Sequence, residues 1–229
     1  MVTNMPEVFV PWSGGKDSCF ACYLATINGL KVCCLVNMLT EDTKRSWSHR
    51  LSAELLQVQA QAIGIPLVQR QVTRRNYDAE FKNMLLTFKQ KGIDGAVFGD
   101  IAFIGHQQWI EKACHKVNLT PHFPLSGQAQ EKVLRDFIDL GFEATIVVTK
   151  ADLIDEQWLG KKVDLDFLSY LSELGQTNDI HICGEAGEYH TFVTNGPLFN
   201  QRIEILETNK ILRERHWYLD ILKYDLRAK

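Results

Sequence analysis

Apolar and polar positions follow two repeating patterns along roughly the first 150 residues of the chain. Short apolar runs rich in β-branched and aromatic residues predict strands, and the unbroken run at 31–38 is typical of a strand buried on both faces. Between these runs apolar residues recur at helical spacing, as Leu51, Leu55 and Val58 do. The predicted strands are 7–12, 31–38, 67–72, 95–98 and 144–148, and the predicted helices are 16–28, 48–63, 77–91, 106–117 and 128–140.

This alternation of strands and helices predicts α/β architecture, with a five-stranded parallel sheet and helices on both faces. After about residue 125 the alternation becomes less regular. The pattern there predicts short helices at 153–159 and 164–174 and a terminal hairpin with strands at 202–206 and 214–224. We therefore predict an α/β domain at 1–125 and a smaller C-terminal α+β lobe at 126–229 that completes the sheet. In such sheets, ligands bind beyond the carboxyl ends of the strands.

Composition and charge exclude several classes of protein. The chain has 229 residues, 45% of them hydrophobic, and its 25 basic and 28 acidic residues give a net charge of −3. That balance argues against a protein held on nucleic acid by bulk charge, so a nucleic-acid partner is not expected. No apolar run reaches the length of a membrane helix, and the N-terminus lacks a basic targeting segment, so we expect a cytoplasmic protein without a membrane partner.

The residues Ser13-Gly14-Gly15-Lys16-Asp17-Ser18 lie between the first predicted strand and the first predicted helix. Paired glycines allow a sharp turn close to a ligand, and the amides at a helix N-terminus attract anions. The two serine hydroxyls and Lys16 add donors to the same anion, so the loop predicts a phosphate or pyrophosphate site. Asp17 suits a carboxylate at the helix N-terminus or a ligand of phosphate-bound Mg²⁺. The spacing matches neither the P-loop nor the dinucleotide-binding glycine motif.

A second polar segment, Cys183-Gly184-Glu185-Ala186-Gly187-Glu188-Tyr189-His190-Thr191, leads into a predicted strand. Its glutamates can hold a metal ion or an amine or act as a base, and His190 can carry a proton or contact a phosphate. The alternative is an ordinary surface turn. Cys19 and Cys22 could similarly be a metal pair, but no second such pair completes a four-thiolate site, and helix packing explains them more simply.

The loop at 13–18 resembles that of the PP-loop ATP pyrophosphatases, a superfamily with a five-stranded parallel sheet. The segment at 183–191 resembles the glycine- and glutamate-rich motif of one branch, the diphthine–ammonia ligases. Gly99-Asp100-Ile101, Trp109, Glu111, Pro124-Leu125 and the run 196–199 also fit that branch. Two positions depart from the family pattern, because Ala186 stands where glycine is usual and Ser126 stands where tryptophan is usual.

The resemblance implies an ATP-dependent amide ligase. In this family a carboxylate attacks the α-phosphate of ATP, pyrophosphate leaves, and ammonia converts the acyl-adenylate to an amide. The implied cofactors are ATP and Mg²⁺, and the implied partners are ammonia and elongation factor 2 bearing diphthine, with a homodimer left open. The implied catalytic residues are Lys16, Asp17, Glu185, Glu188 and His190. The implied nucleotide-binding residues are Ser13, Gly14, Gly15, Lys16, Asp17, Ser18, Asn37, Asp100 and Thr191, and the implied metal ligands are Asp17 and Asp100.

Three alternatives remain at this point. A PP-loop enzyme could adenylate a small carboxylate instead, or it could modify a tRNA base, although the latter usually requires a basic face and an RNA-binding domain. A non-catalytic ATP sensor could use the same fold. The acidic segment at 185–191 argues against the sensor, since binding ATP alone does not require it.

Overall fold

The computed structural model describes residues 5–42 and 44–229. Residues 1–4 and Thr43 lie outside the described residues. Residues 1–4 belong to the N-terminal segment in which no targeting signal is expected. The first sheet is entirely parallel, and its strands follow the order β3-β2-β1-β4-β5. These strands are β1 (Glu7–Pro11), β2 (Lys31–Thr40), β3 (Leu67–Val72), β4 (Gly95–Val97) and β5 (Thr120–His122). The predicted five-stranded parallel sheet is thus confirmed.

Helices cover both faces of this sheet, also as predicted. The α-helices of the described residues are α1 (Lys16–Ile27), α2 (Ala53–Ile63), α3 (Tyr77–Gln90), α4 (Ile104–His115), α5 (Gln130–Asp139) and α6 (Leu165–Leu174), of which α6 packs against α5. Successive strand residues point to opposite faces. In β1, Val8 and Val10 join a core cluster that includes residues of α1, α2 and α5, whereas Phe9 joins a second cluster with residues of α3 and α4.

The prediction for the fifth strand was wrong. The run 144–148 belongs to β6 (Glu143–Lys150), which lies in a separate four-stranded sheet. The fifth parallel strand is β5 instead, a three-residue edge strand that contains Pro121. A strand this short gives no periodic signal, and proline is tolerated at a sheet edge because no partner needs its missing amide. Apolar runs also do not reveal which sheet a strand will join.

The second sheet is antiparallel and has the order β7-β6-β9-β8, so the C-terminal lobe builds its own sheet and does not complete the first one. The new strands are β7 (Tyr189–Asn195), β8 (Gln201–Arg213) and β9 (His216–Ala228). The last two form the predicted terminal hairpin, which is longer than predicted. Its turn residues Glu214 and Arg215 have φ of 48° and 65°, as a tight two-residue hairpin requires.

Two predicted helices are shorter than expected. The pattern placed a helix start at Ser48, but α2 begins at Ala53, where the Ser52 hydroxyl accepts a hydrogen bond from the amide of Leu55 at 3.2 Å. The predicted helix at 153–159 is reduced to a single 3₁₀ turn, Glu156–Trp158. No helix in the described part of the chain is both long and apolar enough to cross a bilayer.

The lobe and the parallel sheet share one hydrophobic core. The larger core cluster contains Val8 of β1, Phe20 of α1 and Phe192 of β7. The amide of Val193 also donates to the carbonyl of Gly14 at 3.0 Å, so the lobe contacts the glycine-rich loop directly. The division of the chain at 125/126 stays a prediction.

Candidate functional site

The glycine-rich loop leaves β1 at its carboxyl end and turns directly into α1. Gly14 has φ of +80°, and a Cβ added there would lie 2.5 Å from Leu56 Cδ2, so both the backbone and the packing require glycine. The Ser13 hydroxyl lies 3.0 Å from the Ser18 hydroxyl and accepts a hydrogen bond from the amide of Gly15 at 3.2 Å. The loop therefore curls around one point at the N-terminus of α1.

The second motif holds this loop from the other side. Thr191 Oγ1 accepts a hydrogen bond from the amide of Lys16 at 3.0 Å. The buried Gln59 side chain donates to the carbonyl of Gly14 at 3.0 Å and to that of Val193 at 2.7 Å. Two segments from distant parts of the chain thus form a single unit.

The buried Lys16 forms an ion pair with the partly exposed Asp17 at the start of α1. Lys16 Nζ lies 3.0 Å from both Asp17 carboxylate oxygens and also donates to the carbonyl of Cys183. Lys16 is 4% exposed. Burial is the largest single effect on its pKa and lowers it, but Asp17, Cys183 and Glu185 together outweigh burial and raise the pKa of Lys16. The lysine is consequently a fixed positive charge beside the loop.

A cavity of about 480 Å³ opens where the loop meets the carboxyl end of β4. Ser13, Asp17 and Ser18 line it from the loop, Asp100 lines it from the turn after β4, and Glu185 lines it from the second motif. Five of the predicted site residues therefore share one cavity.

Glu185 is fixed in this cavity by two backbone donors. Its carboxylate oxygens accept hydrogen bonds from the amides of Ile101 at 2.8 Å and Ala102 at 2.9 Å. These amides belong to the turn that carries Asp100. The contact joins the second motif to the turn after β4, and it holds an acidic group in the cavity beside the glycine-rich loop.

Asp100 pairs with His106 across the first turn of α4, and this hydrogen bond raises the pKa of His106. Burial is the main cause that raises the pKa of Asp17, and the charge on Asp100 adds to it. Both carboxylates line the same cavity. No group of three or more His, Cys, Asp or Glu residues in the described ranges is arranged as a metal site. Two carboxylates nevertheless fit Mg²⁺ delivered on phosphates, because that ion usually takes only one or two protein carboxylates.

Glu188 and Asn37 are among the predicted site residues that do not line the cavity, and both bind backbone groups. Glu188 is 3% exposed, accepts a hydrogen bond from the amide of His181 at 2.7 Å, and does not line the cavity. Asn37 is buried within β2, where its side-chain amide donates to the carbonyl of Trp12 at 2.6 Å. Both residues brace the backbone around the site.

His190 contacts a residue that the sequence pattern did not single out as part of the site. Its ring lies 4.4 Å, centroid to centroid, from the ring of His49, which comes from the loop before α2. Burial is the main cause that lowers the pKa of His190 to about 4 and that of His49 well below its usual value, so both rings are neutral at pH 7. A Cβ on Gly15 would lie 2.4 Å from His49 Nε2, so this pair packs against the phosphate loop.

An aromatic wall of the cavity was also missed. It consists of Tyr77, Phe81, Phe98, Phe103 and Trp109. Trp109 was noted in sequence only as part of a family resemblance, and Phe81 lies in the predicted helix at 77–91, where helical spacing of apolar residues indicates a core face. Phe81 does pack in the core, yet it also faces the cavity, and helical spacing cannot distinguish these two environments.

The chain matches the family models of the diphthamide synthase N-terminal domain at residues 6–121 and C-terminal domain at residues 129–226. It is 27% identical to diphthine–ammonia ligase of Homo sapiens over 87% of this chain and 82% of that protein. It is 29% identical to diphthine–ammonia ligase of Rattus norvegicus over 84% of this chain and 80% of that protein. It is 28% identical to diphthine–ammonia ligase of Danio rerio, over 87% of this chain and 86% of that protein.

Proposed function

Because the chain belongs to the diphthamide synthase family, we propose that it is an ATP-dependent amide ligase that acts on a carboxylate through an acyl-adenylate. The acceptor is diphthine on elongation factor 2, the nitrogen source is free ammonia, and the protein works in the cytoplasm. The carboxylate oxygen attacks the α-phosphate of ATP, and pyrophosphate leaves. Ammonia then attacks the acyl carbon, AMP departs with one former carboxylate oxygen, and nitrogen loses a proton.

The observation that carries this proposal is the cavity shared by both motifs. Ser13, Asp17 and Ser18 from the phosphate loop line the same space as Glu185 from the second motif. A site that only binds ATP needs the loop alone. A ligase must also hold an acceptor and ammonia within reach of the α-phosphate, and the second motif supplies groups for that purpose.

At the phosphate end, the loop stabilises the leaving pyrophosphate. The amides of Gly14 and Gly15, the serine hydroxyls and the buried charge of Lys16 all surround the N-terminus of α1. Preorganised donors of this kind stabilise developing negative charge in the transition state. Asp17 orients Lys16, Thr191 fixes the loop, and Asn37 shapes the adenine end of the site through Trp12.

At the acceptor end, Glu185 and His190 serve the attack by ammonia. Glu185 is an oriented carboxylate that can hold ammonium or take its proton. His190, neutral at pH 7, can accept a hydrogen bond from the nitrogen. Glu188 is a positioning residue in this proposal, because its carboxylate holds the amide of His181.

Mg²⁺ would be held by Asp17 and Asp100 when it arrives with ATP, and it would supply positive charge to the polyphosphate. The proposal requires no further protein ligand. Asp100 is oriented for this task by His106, whose ring nitrogen contacts one of its oxygens.

The test is an assay of ATP products with ammonium and Mg²⁺, with and without elongation factor 2 that carries diphthine. The proposal expects AMP and pyrophosphate that depend on the modified factor and are lost in Lys16→Ala and Ser18→Ala. The matched control is Lys132→Ala, an exposed lysine of α5 that pairs with Asp136. ADP and phosphate as products, or activity that survives in Lys16→Ala, would overturn the proposal.

A further inference from the structure

Two adjacent cysteines of β2 lie on the same face of the parallel sheet. Side chains alternate between the two faces of a regular strand, so Cys33 and Cys34 would be expected to point in opposite directions. Val8 of β1 lies opposite Val32, but the next residue of β1 lies opposite Cys34. Cys33 is therefore an extra residue in a β-bulge. Both cysteines consequently pack in the core cluster of α3 and α4, whereas their neighbours on either side pack in the other cluster.

The bulge brings the two thiols together. Their sulfur atoms are 3.9 Å apart, and the Cys33 thiol donates a hydrogen bond to the carbonyl of Val8 at 3.1 Å. The pairing of β3 with β2 begins only at Leu35, so the two thiols lie beyond the start of β3. Cys33 is partly exposed at this position, and Cys34 is 8% exposed. A small reagent can therefore reach the pair from the side of Cys33.

The two thiols also differ from the other four cysteines in acidity. The hydrogen bond with Cys34 is the main cause that lowers the pKa of Cys33 to about 7, and the same contact raises the pKa of Cys34. Burial raises the pKa of the remaining thiols, to about 12 for Cys22, Cys114 and Cys183 and well above its usual value for Cys19. The thiolate is the form that reacts, so Cys33 is the nucleophile and Cys34 is in place to resolve its product.

We propose that Cys33 and Cys34 form a site of reversible oxidation, at which a peroxide converts the two thiols to a disulfide between neighbouring residues. Consecutive Cα atoms are about 3.8 Å apart, which is closer than the roughly 4.4–6.8 Å of an ordinary disulfide. The disulfide is consequently strained, and strained disulfides are reduced readily, so thiols restore the pair. Neither cysteine lines the cavity at the glycine-rich loop, so this chemistry does not depend on the proposed ligase activity.

The oxidation proceeds in two steps. The thiolate of Cys33 attacks one oxygen of the peroxide, the O–O bond breaks, and the departing hydroxide takes up a proton to give water, which leaves a sulfenic acid on Cys33. The thiol of Cys34 then loses its proton, its sulfur attacks that of Cys33, and the sulfenic hydroxyl leaves with this proton as a second water. The two thiols lose two electrons and two protons, and hydrogen peroxide is reduced to two molecules of water.

The test is oxidation of the reduced, intact protein by hydrogen peroxide near neutral pH, followed by alkylation of the remaining thiols and mass spectrometry. Trypsin cleaves after Lys31 and Lys44, so both cysteines lie in one peptide. We expect this peptide to lose two hydrogen atoms in mass and to escape alkylation. The reaction should be roughly tenfold or more faster than oxidation of any other cysteine in the chain, and dithiothreitol should restore both thiols.

Variants then separate the roles of the two sulfur atoms. In Cys34→Ala, oxidation of Cys33 should be slower and should stop at the sulfenic acid, which dimedone traps. In Cys33→Ala, oxidation of Cys34 should be slowed several-fold or more. The matched control is Cys114→Ala, which changes a buried cysteine of the same core cluster and should leave the reaction of the pair unchanged. Circular dichroism verifies that each variant is folded, and peptide mapping of the unaltered protein decides the question if a variant does not fold.

Three results would overturn the proposal. They are oxidation spread evenly over the six cysteines, a sulfinic acid on Cys33 beside a free thiol on Cys34, and a modified peptide that dithiothreitol does not restore. The ligase assay is run on reduced protein, so its outcome is separate. Disulfide formation without factor-dependent pyrophosphate would contradict the ligase proposal alone, and the reverse result would contradict the oxidation site alone.

Discussion

The backbone amide of Lys16 donates a hydrogen bond to the hydroxyl of Thr191 at 3.0 Å, although 175 positions separate the two residues. Lys16 begins the first helix after the phosphate loop, and Thr191 lies in a strand of the C-terminal lobe. The amide is one of the free donors at the helix N-terminus. The lobe thus fixes the geometry of the glycine-rich loop, and each motif needs the other to complete this hydrogen bond.

Replacing Thr191 with valine should damage the loop with little change in shape. Thr191 is buried, and valine would leave the amide of Lys16 without an acceptor. We expect a loss of about 1–3 kcal/mol in the free energy of unfolding, measured with urea, and weaker ATP binding. Thr191→Ser keeps the hydroxyl, so it should retain most of the stability and most of the affinity for ATP. Equal losses in the two variants would show that methyl packing, not the hydrogen bond, is the important contact.

Gly15→Ala should disrupt the loop by a steric clash with His49. The added Cβ would lie 2.4 Å from His49 Nε2, and overpacking of this kind costs about 1–3 kcal/mol. A second change, His49→Ala, should restore part of the lost stability and ATP binding in the double variant. Gly105→Ala is the matched control, since nothing lies within 4 Å of its added Cβ. Failure of His49→Ala to rescue would contradict the packing described for this pair.

Glu185 and Glu188 should respond differently to the same substitution. Glu185→Gln offers one acceptor oxygen to two backbone donors, so we expect pyrophosphate formation to fall about tenfold or more, which corresponds to the loss of about one hydrogen bond to a charged group. Glu188→Gln keeps an acceptor for the amide of His181 and removes a buried charge, so activity and stability should both be retained. An inactive but stably folded Glu188→Gln would show that this residue takes part in the chemistry.

His190 should make the fold sensitive to mild acid. Burial lowers the pKa of His190 to about 4, from 6.5 for an unperturbed histidine. Between pH of about 4 and about 6.5, this histidine is therefore protonated in the unfolded chain and neutral in the folded chain. The free energy of unfolding consequently falls as the pH decreases through this range. The free energy of unfolding should change with pH by up to about 1.4 kcal/mol per pH unit because of this one group. Urea unfolding across this range should show a smaller slope in His190→Gln than in the exposed control His115→Gln. Equal slopes would contradict the assignment.

Much of the geometry of the glycine-rich loop could be predicted from the sequence because it is local. The strand, the paired glycines and the helix that starts at Lys16 are consecutive, so nearby residues determine their geometry. The parallel sheet also followed from local patterns. The fifth strand did not, because three edge residues around Pro121 carry no periodic signal.

The remainder of the site depends on tertiary placement. Glu185 and Glu188 look equivalent in sequence, yet left-handed turns at Gly184 and Gly187 direct one carboxylate to the cavity and bury the other. His49 lies in a predicted helix, but in the structure it occupies a turn between the isolated bridges at Ser46 and Ser52, and its ring packs against the loop. These contacts join residues far apart in the chain, and a pattern within one segment cannot reveal them.

The central claim is that the acceptor carboxylate is adenylated, and oxygen transfer tests it most directly. The acceptor carboxylate is labelled with a heavy oxygen isotope and incubated with the protein, ATP, Mg²⁺ and ammonium, and AMP is analysed by mass spectrometry. The account predicts one labelled oxygen in each AMP released, with an amide as the second product. Unlabelled AMP, or label in inorganic phosphate with ADP, would contradict it.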